Sequence, residues 1–176
     1  MDTQAAIISA RIARTREMKD EISRLKARNK ELEDENSRLK THLSLAVLAA
    51  QDLSSLPEGG KFTIIDGWNA VAGSEKTAPD RDALELMARV HAERHPLDRI
   101  WIVYDGHKRS SHADGRTRIT YTGGIGPQRA DRLVCDYIAA ASFSGDVSRI
   151  EVFTRDKRFM KEALRLGAKK SAGLDA

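Results

Sequence analysis

Cysteine is almost missing from this chain: Cys135 stands alone in 176 residues, which excludes an internal disulfide framework and fits a reducing compartment. Its neighbours Leu133, Val134 and Ile138 place it on a buried helix face as an inert thiol. No run of about 18 apolar residues occurs, so no membrane-spanning helix is expected. The N-terminus reads as a charged helix without a secretory apolar stretch, and the expected location is cytoplasmic. The first 60 residues contain no aromatic side chain, no glycine before Gly59 and no proline except Pro57. That segment therefore has no rings with which to build a core and nothing to break a helix.

What is present divides in the same place. The chain carries 30 Lys and Arg against 26 Asp and Glu, a net charge of +4. Residues 1–60 hold ten of each sign, so the whole excess belongs to the remainder. A basic remainder that also gathers aspartates points to a polyanionic partner.

Apolar residues recur every seven positions in residues 8–50. Ile8, Thr15, Ile22, Asn29, Asn36 and Leu43 occupy heptad position a; Met18, Leu25, Leu32, Leu39 and Ala46 occupy d, with Arg11 breaking the first d. Leucine at d with asparagine at a favours a two-stranded parallel coil, because paired asparagines bond only in register. In that arrangement Glu21 faces Lys26, Arg28 faces Glu33 and Glu35 faces Lys40 of a second copy, and only Arg14 against Lys19 repels. Exposed pairs of this kind are worth roughly 0.3–0.5 kcal/mol each, so they set orientation more than stability. The alternative is a solvated helix packed on its own domain. Residues 1–53 are expected to form a homodimerising helix, 54–60 a linker, and 61–176 a separate domain.

In that domain, Lys61–Asp66 and Arg99–Tyr104 read as buried strands, each closed by Asp-Gly. Pro79-Asp80 starts a helix to about His95, His107–Arg116 reads as a polar loop, and Arg118–Thr122 as a third strand. Gly123-Gly-Ile-Gly-Pro127 leads into a helix over 128–143. A fourth strand spans Arg149–Thr154, a helix Lys157–Leu166, and a short fifth strand Ala168–Ser171. Strands alternating with helices predict a mainly parallel sheet with helices on both faces. Strand ends in such sheets converge on one crevice, and carboxylates gathered there call for a hard cation such as Mg²⁺ or Mn²⁺.

Asp66-Gly-Trp-Asn69, Asp105-Gly106, Ala130-Asp131 and Thr154-Arg-Asp156, in that order, resemble the motifs of NYN domains, a branch of the PIN-like nucleases, and specifically the YacP-like ribonucleases. Leu166-Gly-Ala168 also fits, and the resemblance spans roughly residues 61–172. Trp68 stands where the family usually carries tyrosine, and Arg132 where a second acidic residue often follows. The resemblance implies an α/β, three-layer PIN-like domain and a Mg²⁺- or Mn²⁺-dependent endoribonuclease acting on RNA, with a ribosomal or RNA-processing partner as a further expectation.

On that reading Asp66, Asp131 and Asp156 are the catalytic, metal-holding residues, with Asp105 a fourth ligand or simply turn chemistry and Thr154 an outer neighbour. Asp131 also suits the dipole of its helix, and Asp156 an N-cap. Asn69 positions a phosphate or metal-bound water, or caps a turn; Trp68 stacks a base or joins the core. Lys108, Arg109, Arg129, Arg132, Arg155, Lys157 and Arg158, together with Arg116 and Arg118, would grip phosphates, giving salt-sensitive affinity without sequence information. Asp136, five residues beyond Asp131, is expected in solvent, and His107 and His112 as loop bystanders. The rival function is a non-catalytic RNA-binding or scaffold protein with a degenerate site. Neither a dinucleotide fingerprint nor a helix-hairpin-helix pattern supports a dehydrogenase or a structure-specific DNA nuclease.

Overall fold

The computed structural model describes residues 2–71, 78–124, 126, 128–143 and 146–174. The chain forms two compact units, Met1–Thr41 and His42–Ala176. One helix, α1 (Asp2–Ser54), begins in the first and ends in the second. The first unit is this helix alone. Its heptad residues Met18, Ile22, Leu25, Leu32 and Leu39 are exposed, between 42% and 59%. Arg28 pairs with Glu31 at 3.0 Å and Asn29 donates to Glu33 at 2.7 Å, contacts one turn apart that support an isolated helix.

The second unit is α/β. Its elements are β1 (Phe62–Asp66), a short helix α2 (Gly67–Ala70), α3 (Ala78–Arg94), β2 (Arg99–Tyr104), β3 (Arg109–Asp114), β4 (Thr117–Thr122), α4 (Arg129–Ser142), a 3₁₀ turn at Val147–Arg149, β5 (Ile150–Phe153), α5 (Lys157–Arg165) and β6 (Lys169–Lys170). The sheet has six strands in the order β3-β4-β2-β1-β5-β6, all neighbours parallel except the β3–β4 hairpin. Ile125 and Pro127, within the glycine-rich segment expected to lead into α4, lie outside the described residues.

Side-chain alternation along the strands builds two cores. Phe62 and Ile64 of β1, Trp101 and Val103 of β2, and Ile150 and Val152 of β5 pack against α4 and α5. Ile65, Ile100, Ile102, Tyr104 and Ile119 face the other way, onto Leu84, Ala88 and Ala92 of α3. The last turns of α1 belong to the first of these cores: Leu45, Ala49 and Leu53 are buried in it. Asp52 is buried beside them, accepting from Arg118 at 2.8 and 3.2 Å and from the Tyr137 hydroxyl at 2.8 Å. The Arg118 guanidinium lies 4.4 Å from the Trp101 ring centroid, so this ion pair is roofed by aromatic surface.

The segment read as the polar loop His107–Arg116 contains the edge strand β3. Every β3 side chain is exposed, so no apolar alternation marks it. Its signal is the turn instead: Gly115, at φ 58°, opens the two-residue hairpin between Asp114 and Thr117. Among the described residues no helix is long and apolar enough to cross a membrane.

Candidate active site

From β1 the chain moves outward through β2 and β4, then returns to lay β5 on the other flank of β1. The β1–β5 boundary is therefore the topological switch point, where an open parallel sheet leaves a crevice outside its strand ends. Asp66 is the last residue of β1 and Asp105 directly follows β2; Thr154 and Asp156 follow β5, and Asp131 lies in the first turn of α4.

Asp66 is buried, with 4% of its surface exposed. Its Oδ2 accepts from the Asn69 side-chain amide at 2.6 Å and from the Thr154 hydroxyl at 2.8 Å. Burial pushes this carboxyl above its ordinary range, while Asn69 and Thr154 oppose the shift. Asn69 thus orients Asp66 through α2, which the Asp-Gly-Trp-Asn motif encodes. Gly67 is required by packing: a side chain there would overlap the Tyr104 ring.

Asp131 is half-buried and pushed up to about 6, first by burial and then by the charges of Asp66, Asp156 and Asp105, with Arg158 opposing. Carboxylates from the end of β1, the end of β2 and the β5–α5 junction therefore all act on Asp131. The arrangement is open: among the described residues, the trio of His, Cys, Asp or Glu with ligand atoms all within 4.8 Å lies elsewhere, at His91, His95 and Asp98.

Asp156 serves as the N-cap of α5, its Oδ1 accepting from the N–H groups of Arg158 at 2.7 Å and Phe159 at 3.1 Å. Asp105 has a role that sequence reading missed. Gln128 stands at the N-cap of α4 in a left-handed conformation, φ 61°, and its side chain caps nothing. Asp105 supplies the acceptor from 25 residues away, taking the Ala130 N–H at 2.8 Å and the Thr122 hydroxyl at 3.2 Å. It thereby ties the start of α4, and so Asp131, to the end of β2. A capless helix start after a glycine-rich segment was the available signal.

Trp68 is half-buried against Tyr104, ring centroids 5.0 Å apart, and donates its indole N–H to the Asp105 carbonyl at 2.8 Å. Lys108, Arg109, Arg129, Arg132, Arg155, Lys157 and Arg158 are all exposed. Gly123 leaves no room for a side chain against the Arg109 backbone, and the Arg129 guanidinium lies against Gly124. Arg116 and Arg118 do not join them. Arg118 is committed to Asp52, and Arg116 donates to the Ala92 carbonyl at the end of α3. Asp136, His107 and His112 are exposed.

A cavity of about 400 Å³ adjoins these elements, lined by Ala70, Val71, Leu84, Met87, Phe153, Arg155 and Leu174 among others. Its lining reaches Arg155, between Thr154 and Asp156, and Ala70, next to Asn69. No family model, curated protein or solved structure matches this chain.

Proposed function

We propose that the protein is a metal-dependent endoribonuclease of the NYN, PIN-like kind, held as a parallel dimer by the heptads from Ile8 to about residue 41, the expected seam beyond them being taken up by the chain's own core. The observation that carries this reading is the convergence of Asp66, Asp105, Asp131 and Asp156 at the switch point, where burial and mutual repulsion raise Asp131 to about 6. An oxygen-only donor set of this charge suits Mg²⁺ or Mn²⁺. Asp66, Asp131 and Asp156 would hold the ion, Asn69 and Thr154 fix the Asp66 rotamer, and Asp105 holds α4 in register. An ion held there would supply Lewis acidity for activating a water and for the charge on the leaving oxygen. The exposed Arg and Lys side chains around the crevice bind backbone phosphates, and the cavity beside Arg155 has room for a nucleobase.

The exposed a and d residues of the first unit support the dimer, since an apolar seam in water is stabilised by a second copy. One observation favours a non-catalytic RNA-binding or scaffold role instead: Asp156 and Asp105 already spend an oxygen each on helix N–H groups. Cleavage of labelled single-stranded RNA separates the two. Wild type cleaves with Mn²⁺ or Mg²⁺, EDTA abolishes cleavage, and Asp66→Asn/Asp156→Asn binds RNA without cutting it. Folded wild type that binds several RNAs and cuts none establishes the scaffold reading.

A further inference from the structure

We propose that His91, His95 and Asp98 form a transition-metal site of the zinc class, separate from the carboxylate crevice. The segment reads His91-Ala-Glu-Arg-His95-Pro-Leu-Asp98. Histidines four apart share one helix face. The His95 N–H donates to the His91 carbonyl at 2.9 Å, carrying the last turn of α3 through both. The Asp98 N–H then donates to the His95 carbonyl at 3.0 Å, closing a β-turn over Pro96-Leu97 that returns Asp98 to the histidines. One ligand atom from each residue lies within 4.8 Å of the other two. The imidazole rings stack with centroids 4.3 Å apart.

The turn is held from outside, so the three groups are placed before any ion arrives. Asp98 Oδ1 accepts from the Lys61 N–H at 2.8 Å. A side chain on Gly60 would overlap the Leu97 carbonyl, so that backbone approaches the turn closely. His91 is buried, while His95 and Asp98 are half-exposed, which leaves a solvent-side approach.

Two imidazoles and one carboxylate are a zinc donor set, with a fourth position for water. Tetrahedral zinc with bonds of ~2.0–2.1 Å sets its ligands about 3.4 Å apart, so small side-chain rotations complete the site. Arg116, on the Ala92 carbonyl, places a positive charge nearby, and the C-terminal dipole of α3 opposes it. Asp98 precedes β2 and Asp105 follows it; six residues at ~3.3 Å each put this site about 20 Å from the crevice. A metal here clamps the end of α3 to the entries of β1 and β2, and so stabilises the folded chain.

The test uses the full chain carrying Asp66→Asn/Asp131→Asn, so that crevice binding does not contribute, and reads metal rather than cleavage. Zn²⁺ is titrated by calorimetry and Co²⁺ by its visible d–d absorption. One equivalent per chain binds with tetrahedral Co²⁺ bands, and Zn²⁺ raises Tm. His95→Ala weakens binding about 100-fold or more, and Asp98→Asn, which keeps an acceptor for the Lys61 N–H, weakens it at least tenfold. If neither ion binds saturably, or binding survives both substitutions unchanged, the three residues are a structural stack and the proposal fails. Either result leaves the nuclease reading untouched.

Discussion

Asp131 is the residue whose environment differs most from that of a free aspartate. Its carboxyl titrates near 6 against an ordinary 3.8, with burial the largest cause and three neighbouring carboxylates adding to it. Between those values the folded chain holds a proton that the unfolded chain has lost, so this group favours folding more as pH falls. At neutral pH its charge opposes folding. Asp131→Asn removes that charge, and in metal-free buffer the variant is predicted to melt above wild type at pH 7.5. The difference shrinks as pH falls through 6 and vanishes only below about 3.8, where the folded and the unfolded wild type are both protonated. A variant that melts below wild type at pH 7.5 contradicts this placement of Asp131. The carboxylates themselves were legible as strand-end and helix-start aspartates. The division of labour among them was not, because Asp105 reaches Ala130 and Thr122 across the fold and no local pattern encodes that contact.

Among the elements, α1 is the least like its sequence pattern. The heptads continue on paper through Leu43 and Ala46, yet Leu45, Ala49 and Leu53 turn into the core of the second unit. Two periodicities overlap in the same turns, and the seven-residue one masks the other. The buried strands β1 and β2 were legible from their apolar runs, because both faces of each are covered. The edge strand β3 was not, since its exposed polar side chains carry no alternation. The proposed dimer seam and the core contacts of α1 together give a sharp prediction for truncation. Removing residues 1–41 leaves a folded monomer. Removing residues 1–55 also removes Leu45, Ala49, Leu53 and Asp52, which uncovers the first core and takes the shared carboxylate from Arg118 and Tyr137. Each lost core leucine costs about 2–5 kcal/mol. Those losses together match the whole stability of a typical domain. Circular dichroism melts and light scattering check both: residues 42–176 melt cooperatively as a monomer, and residues 56–176 do not fold. A dimeric 42–176, or a 56–176 that melts like it, contradicts the assignment.

At the scale of the molecule, the two ends of one sheet carry two kinds of chemistry. The carboxyl ends of β1, β2 and β5 and the start of α4 gather four aspartates among exposed Arg and Lys side chains, which we propose serve a hard cation and a polyanion. At the amino end of β2, two histidines and an aspartate share a turn suited to a softer ion. The chain connects them through β1 and β2, which are buried on both faces. The proposal on which the rest stands is that Asp66, Asp131 and Asp156 form one cation site, with Asp105 holding α4 beside it. Mn²⁺ binding followed by electron paramagnetic resonance at pH 7.5 tests it most directly, in wild type, Asp66→Asn/Asp131→Asn and His95→Ala. Saturable Mn²⁺ binding that is lost in the aspartate variant and kept in His95→Ala is the predicted result. Wild type that binds no Mn²⁺, or an aspartate variant that binds it as wild type does, would contradict it.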